Sequence, residues 1–236
     1  MIICADFDDT IFLRLDAAQT VRNYDAIKKW RQKEGNYFIL CTNRSFGSVE
    51  STLSNWRDYF DYLVLDGGAK VLNSSQEIIW SNPFDPQVAA GILDIVHDDL
   101  NLSDAKYYSL QVDDYTLDPL SDITKIYLYF ENDTKAAPFL SAIDNLDANV
   151  LAWSHFPPEV CIEVTPDTTN KAFAIHKLIS VMELPDNNVV TIGDNTNDYE
   201  MLTEFNGYAI QNSKISALHP DIRTTPSVAD LLSSLG

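Results

Sequence analysis

The chain has little positive charge: 16 Lys and Arg stand against 35 Asp and Glu in 236 residues, a formal net charge of −19. The deficit is greatest between residues 71 and 165, where 16 Asp and Glu face only Lys106, Lys125 and Lys135 and no Arg, a net of −13 against −6 for the other 141 residues. Nucleic acids and anionic membrane faces are bound largely through clustered Lys and Arg, so neither is an expected partner. The same deficit argues that the middle of the chain is not built to grip a second phosphate. No apolar run approaches the roughly 20 residues that span a bilayer, and no basic-then-apolar leader is present. The expectation is a soluble, cytoplasmic protein. Cys4, Cys41 and Cys161 lie far apart, without metal-type spacing, and read as buried thiols. In that compartment Asn-x-Ser/Thr tripeptides such as those at Asn73, Asn101 and Asn132 carry no glycan. His97, His155, His176 and His219 show no His-x-x-x-His pattern and read as ordinary surface or satisfied positions.

What is present begins with Asp6-Phe7-Asp8-Asp9-Thr10, directly after the apolar run Ile2-Ile3-Cys4-Ala5. An apolar run that stops at clustered carboxylates reads as a buried strand carrying acidic side chains to the edge of a sheet. Asp6 and Asp8, two apart, share a face of an extended segment, and neighbouring carboxylates do not both stay ionised without a cation. A capped turn after an edge strand fits the same residues. Two further apolar runs end similarly: Tyr37-Phe38-Ile39-Leu40-Cys41 leads into Thr42-Asn43-Arg44, and Val189-Val190-Thr191-Ile192 into Gly193-Asp194-Asn195-Thr196-Asn197-Asp198. Between them, Lys171 opens a stretch whose apolar positions Ala174, Ile175, Leu178, Ile179 and Met182 follow a helical period. A cation in the first helical turn opposes the helix dipole and costs stability unless an anion pairs with it. A solvated surface lysine is the alternative reading.

These four stations, in this order, resemble the haloacid dehalogenase superfamily of phosphohydrolases, and within it the Cof-type, class IIB branch. The resemblance covers residues 1 to 70 and about 163 to 217. It implies a Rossmann-like α/β core of parallel strands, residues 1–70 and 166–236, with an α+β cap domain inserted at 71–165. It further implies Asp6 as the nucleophile that becomes an aspartyl-phosphate and Asp8 as the acid that protonates the leaving oxygen and then activates water. Thr42 and Lys171 would act on the phosphoryl oxygens, with Asn43 at the phosphate site. Mg2+ would be held by Asp6, the Asp8 backbone carbonyl and Asp194, with Asp198 close by or acting through water. Asn197 and Arg44 are additional candidates; Arg44 either reaches a substrate anion or pairs with a nearby Asp, the pairing being preferred.

The implied activity is hydrolysis of a small phosphorylated metabolite, a sugar or polyol phosphate, with the cap choosing the substrate. A phosphotransferase or mutase on the same core, and a non-enzymatic phosphate-metabolite sensor, are the alternatives. The family's membrane ATPases carry Thr where Asp8 stands, which favours the phosphatase. Two departures stand out: Asp9 and Asn43 replace the usual glycines, though both tolerate positive φ.

The pattern along the chain agrees with an inserted unit. Val21, Tyr24 and Ile27 suggest one face of a first helix, Gly35 a stop, Ser45 to Asp58 a second helix, and Tyr62-Leu63-Val64-Leu65 a third strand, with Asp66-Gly67-Gly68 closing this region. In the insert, Ile78 to Trp80, Lys125 to Phe130, Val150 to Trp153 and Val160 to Val164 read as strands, and Pro86 to Leu100 and Lys135 to Asn145 as helices. Trp153, His155 and Phe156 suggest an aromatic and imidazole wall for a sugar ring.

Overall fold

The computed structural model describes residues 1–96, 106–109, 115–116, 122–154, 157–184 and 188–236. Two compact units divide the chain: residues 1–44, 48–80 and 170–236 form the first, and 45–47 and 81–169 the second.

The first unit is built on an eight-stranded sheet. Its strands are β1 (Ile2–Ala5), β2 (Tyr37–Cys41), β3 (Tyr62–Leu65), β4 (Lys70–Asn73), β5 (Ile78–Ser81), β11 (Val189–Gly193), β12 (Asn206–Ile210) and β13 (Arg223–Thr225). They lie in the order β13-β12-β11-β1-β2-β3-β4-β5, parallel from β13 to β3. The apolar runs that mark β1, β2, β3 and β11 are buried along almost their whole length, as a parallel sheet covered on both faces demands. Helix α1 (Ala17–Arg31) connects β1 to β2; α2 (Phe46–Thr52) and a 3-10 turn at Trp56–Asp58 connect β2 to β3. After the insert come α5 (Lys171–Val181), α6 (Tyr199–Glu204), α7 (Lys214–Leu218) and α8 (Val228–Ser234). From β1 the chain moves first to β2 on one side and, after the insert, to β11 on the other. That reversal is the topological switch point, beyond whose strand ends open α/β sheets bind ligands.

Three expectations are corrected. The inward face of α1 is not the Val21/Tyr24/Ile27 stripe: Thr20, Asn23, Ile27 and Trp30 are buried, while Val21 is exposed. The phase differs because Asn23 is held inward by hydrogen bonds rather than apolar contact. The helix foreseen from Ser45 to Asp58 breaks after Thr52. Finally, β4 follows a tight turn at Asp66–Gly68 and pairs antiparallel with β3, so the sheet continues into β4 and β5. The units accordingly divide at residues 80/81 and 169/170, where the sequence reading began the insert at residue 71.

The second unit is α+β. Strands β6 (Lys106–Ser109), β7 (Tyr115–Thr116), β8 (Ile123–Phe130), β9 (Ala148–Trp153) and β10 (Val160–Pro166) form an antiparallel sheet ordered β7-β6-β8-β10-β9. Ile126, Leu128 and Phe130 of β8 and Val160, Ile162 and Val164 of β10 share one face, as alternation requires. They form a core with Ile92 and Leu93 of α3 (Pro86–Asp94) and Ala136, Phe139 and Ile143 of α4 (Asp133–Ile143). The opposite face carries a buried Lys125–Glu163 pair at 3.9 Å and a Tyr127 hydroxyl 2.9 Å from Cys161 Sγ. Trp153 lies beside Tyr127, ring centroids 6.3 Å apart; His155 and Phe156, the rest of the expected aromatic wall, lie outside the described residues, as do His97 and the far end of the helix foreseen to Leu100.

Candidate active site

The residues that follow β1, β2 and β11 meet at one edge of the first unit's sheet. Register fixes this: Ala5 is level with Leu40 of β2 and Ile192 of β11, so the next residues along each strand emerge together. Asp6 N–H donates to Ile192 carbonyl oxygen at 2.9 Å, continuing the β1–β11 ladder by one step. Carboxylate oxygens of Asp6, Asp194 and Asp198 lie within 4.8 Å of one another. The Asp8 carboxylate is not part of that cluster.

Lys171 is not a surface lysine. It is the first residue of α5, and its side chain is 1% exposed. Nζ donates to Asp6 Oδ1 at 2.5 Å and to Asp198 Oδ1 at 2.6 Å. These two carboxylates offset the unfavourable position at the positive end of the helix. The start of α5 is itself fixed: Asn170 caps it by accepting from Phe173 N–H at 2.7 Å. The Asp66–Gly68 turn also packs against it so closely that a Cβ at Gly68 (φ 111°) would lie 2.3 Å from Asn170 oxygen.

Asp198 has no free carboxylate oxygen. Oδ1 accepts from Lys171, and Oδ2 accepts from the backbone N–H groups of Asp194 at 3.0 Å and Asn195 at 3.1 Å. Gly193 leaves the space this needs, since a Cβ there would lie 2.4 Å from Asp198 Oδ2. Asp198 therefore braces the β11 loop and Lys171 together. Asp194 accepts from the Thr10 hydroxyl at 3.1 Å through Oδ1. Among the described residues, Asp6 and Asp194 are thus the members of the cluster that each keep one carboxylate oxygen without a hydrogen bond, and an all-oxygen set of this kind fits a hard divalent cation.

The electrostatics reflect three carboxylates around one ammonium. Burial pushes Asp6 well above the ordinary carboxylate range, with Lys171 opposing and the charges of Asp198 and Asp194 adding. Burial and then the Asp198 charge push Asp194 up to about 7, the Thr10 hydroxyl opposing. Burial disfavours the Lys171 charge, but Asp198 and Asp6 outweigh it and raise its pKa above that of an ordinary lysine.

Asp8 is held differently. Its Oδ2 accepts from Arg44 Nε at 2.7 Å and its Oδ1 from Arg44 Nη2 at 2.8 Å and Arg14 Nη2 at 3.3 Å. Burial raises its pKa, but the hydrogen bonds and charge of Arg44, with Arg14, prevail and hold it below the usual carboxylate range. The preferred reading of Arg44 as the partner of an aspartate agrees with this contact.

Thr42 is buried at the end of β2, its hydroxyl accepting from Arg44 N–H at 3.1 Å. Asn43 Oδ1 accepts from Asn197 Nδ2 at 3.0 Å, which ties the loop after β2 to the loop after β11. Of the two residues that replace glycines, Asp9 adopts φ 59°, whereas Asn43 is not among the residues with positive φ. Only position 9 uses the backbone freedom that a glycine would supply.

Two supporting residues were not foreseen. Thr10 bonds Asp194, and its place in the Asp-x-Asp-x-Thr run was the available signal. Asn23, fully buried in α1, donates to the carbonyl oxygens of Thr10 at 3.3 Å and Ile11 at 3.0 Å and accepts from Ala229 N–H at 3.1 Å. A lone Asn within an amphipathic helix gave no signal of this.

Comparison with known proteins agrees with this arrangement. The sequence profile of the haloacid dehalogenase-like hydrolases matches residues 3–111 and 98–220, so the chain belongs to that family of hydrolases. A protein of Buchnera aphidicola subsp. Schizaphis graminum that carries a phosphatase name is 21% identical over 248 residues, 94% of this chain and 87% of its own. A haloacid dehalogenase-like hydrolase from Bacteroides thetaiotaomicron superposes with a TM-score of 0.79 at 16% identity, over 100% of this chain and 99% of that one. The HAD subclass IIB sugar phosphatase BT4131 does so with a TM-score of 0.73 at 13% identity, over 99% and 97%. The expected fold, a mostly parallel core sheet with an inserted class IIB cap, is the one observed. Among the described residues no helix is long and apolar enough to cross a membrane.

Proposed function

We propose that the protein is a Mg2+-dependent phosphomonoesterase that acts on a small metabolite through an aspartyl-phosphate on Asp6. The observation that carries this reading is the buried contact of Lys171 with both Asp6 and Asp198 beside Asp194. A nucleophile needs an exposed lone pair on a fixed carboxylate, and Lys171 orients Asp6 through one oxygen only, leaving the other to attack phosphorus.

Asp6 and Asp194, with the Asp8 backbone carbonyl, would hold Mg2+. When bound, the ion supplies the positive charge that lets a phosphate dianion approach clustered carboxylates. In the first half-reaction the Asp6–phosphorus bond forms as the ester P–O bond breaks, and Asp8, in the protonated form that this step requires, delivers its proton to the departing oxygen. In the second, Asp8 takes a proton from water as its oxygen attacks phosphorus, and the Asp6–phosphorus bond breaks to release phosphate. The Lys171 ammonium, the Thr42 hydroxyl and the backbone at Asn43 would stabilise the equatorial phosphoryl oxygens, where charge spreads in transfer. Asn197 holds Asn43 in place.

A sugar or polyol phosphate is the substrate class we favour. The acidic insert, −13 over residues 71–165, suits a neutral rather than an anionic leaving group, and the subclass IIB neighbour is described as a sugar phosphatase. Phosphate release from a panel of metabolite phosphates, with and without Mg2+, tests the reading. Hydrolysis of neutral-sugar phosphates that stops on chelation is expected; release that is indifferent to chelation would overturn it.

A further inference from the structure

Arg44 makes more contacts than a surface ion pair requires. Nε and Nη2 grip both oxygens of Asp8. Nη1 donates to the Thr52 hydroxyl at 2.6 Å and to Ser48 through its hydroxyl at 3.3 Å and its carbonyl oxygen at 3.4 Å, both on α2. The guanidinium also lies over the Phe7 ring, 5.1 Å from its centroid, and Phe7 stands between Asp6 and Asp8. The Arg44 side chain is 20% exposed. A planar fork with two parallel donors to a carboxylate, and its remaining nitrogen tied to a helix, fixes orientation as well as charge. Asp8 Oδ2 accepts one of these bonds only, so a lone pair of that oxygen stays available for a proton.

We propose that Arg44 is the positioning residue for Asp8: its fork sets the direction in which that carboxylate meets the leaving-group oxygen, and Ser48 and Thr52 of α2 hold the fork in place. The proposal rests on the phosphatase reading. It assigns Arg44 to Asp8 rather than to the substrate, and therefore to turnover rather than to binding. An arginine reaching for a substrate anion would act chiefly on KM; one that orients the acid and base acts on kcat.

The test is a mutant cycle on the full-length protein with p-nitrophenyl phosphate and an alkyl phosphate such as glycerol phosphate. Arg44→Met should lower kcat on the alkyl phosphate by about 100-fold, the order that a positioned acid or base contributes, while KM stays within about threefold. Arg44→Lys should restore part of that loss, because an ammonium keeps the charge without the paired donors. In an Asp8→Asn background Arg44→Met should cost nothing further beyond about twofold, since residues acting through one group are not additive. A loss that persists undiminished in the Asp8→Asn background, or a raised KM with kcat unchanged, would overturn the proposal. Should Arg44→Met fail to fold, Thr52→Val loosens the same fork; its smaller loss must likewise vanish in the Asp8→Asn background, and persistence would again count against the idea. The two readings fail separately. If Asp6→Asn hydrolyses both esters at the parental rate, the phosphatase mechanism is wrong; if Asp6 is required but Arg44 and Asp8 behave additively, only the positioning role is lost.

Discussion

Lys171 Nζ bridges Asp6 and Asp198 at 2.5 and 2.6 Å, so a single buried ammonium joins the end of β1 to the loop after β11. Replacing it with methionine leaves buried carboxylates without their cation. Lys171→Met is expected to lose about 3 kcal/mol of stability at neutral pH, as breaking a buried pair by one partner does. The loss should shrink at pH 5, because burial raises the Asp6 carboxyl well above the ordinary range and it accepts a proton instead. Urea melts at the two pH values check this; an equal loss at both would mean that Lys171 does not balance those carboxylates. Activity should vanish in either case.

Asp194 gives the metal-free protein a pH dependence of definite sign. Its carboxyl rises from 3.8 to about 7 on folding. Between those values the folded protein binds a proton that the unfolded chain has released, so stability should fall as pH rises from about 4 to about 7. Asp8 works in a separate window: its lowered pKa contributes stability above the unfolded value, lost as pH falls below it. A divalent cation at Asp6 and Asp194 competes with the proton, so Mg2+ should raise the melting temperature more at pH 7.5 than at pH 5. Thermal melts with Mg2+ and with chelator decide this, and a shift independent of pH would place the ion elsewhere.

The core was legible where one physical signal acted alone. Uninterrupted apolar runs gave β1, β2, β3 and β11, and the carboxylates that end the first run singled out Asp6; Thr42 and Asp194 follow two other runs, but their candidacy came from the resemblance. Lys171 needed the resemblance, because sequence spacing does not distinguish a buried lysine from a solvated one; only the fold brings Asp6 and Asp198, 165 and 27 residues away, to its side. Asn23 was illegible for a similar reason. Its polarity argued for the outer face of α1, whereas the carbonyl oxygens of Thr10 and Ile11 provide partners that make burial favourable. The membership of β4 and β5 was missed because local strand pattern does not specify the sheet a strand joins.

Asn23 should accordingly matter to both stability and rate. Asn23→Leu keeps the volume but strands the Thr10 and Ile11 carbonyl oxygens and the Ala229 N–H without their partner. A cost of about 2 to 4 kcal/mol is expected for losing several buried hydrogen bonds at once. Because Thr10 bonds Asp194, the apparent Mg2+ affinity should weaken as well. Isothermal titration of Mg2+ into the folded variant checks the second effect; unaltered affinity would show that Asn23 supports the fold alone.

Asp6 and Asp8 are separable by the product each variant accumulates. Asp6→Asn keeps the shape but removes the nucleophile, so no phosphoenzyme should form and turnover should vanish for good and poor leaving groups alike. Asp8→Asn leaves Asp6 able to attack but removes the proton donor. Its loss should be greatest with alkyl phosphates, whose leaving oxygen needs a proton, and smaller for the first step with p-nitrophenyl phosphate, whose leaving group departs without one. The same substitution removes the base that activates water, so the phosphorylated form should build up during turnover with the activated ester. Acid quenching followed by intact mass spectrometry would detect it as a covalent phosphoryl adduct, and peptide mapping would locate it on Asp6. An adduct at that position in Asp6→Asn, or parental alkyl phosphate hydrolysis by Asp8→Asn, would refute the assignment of the two roles.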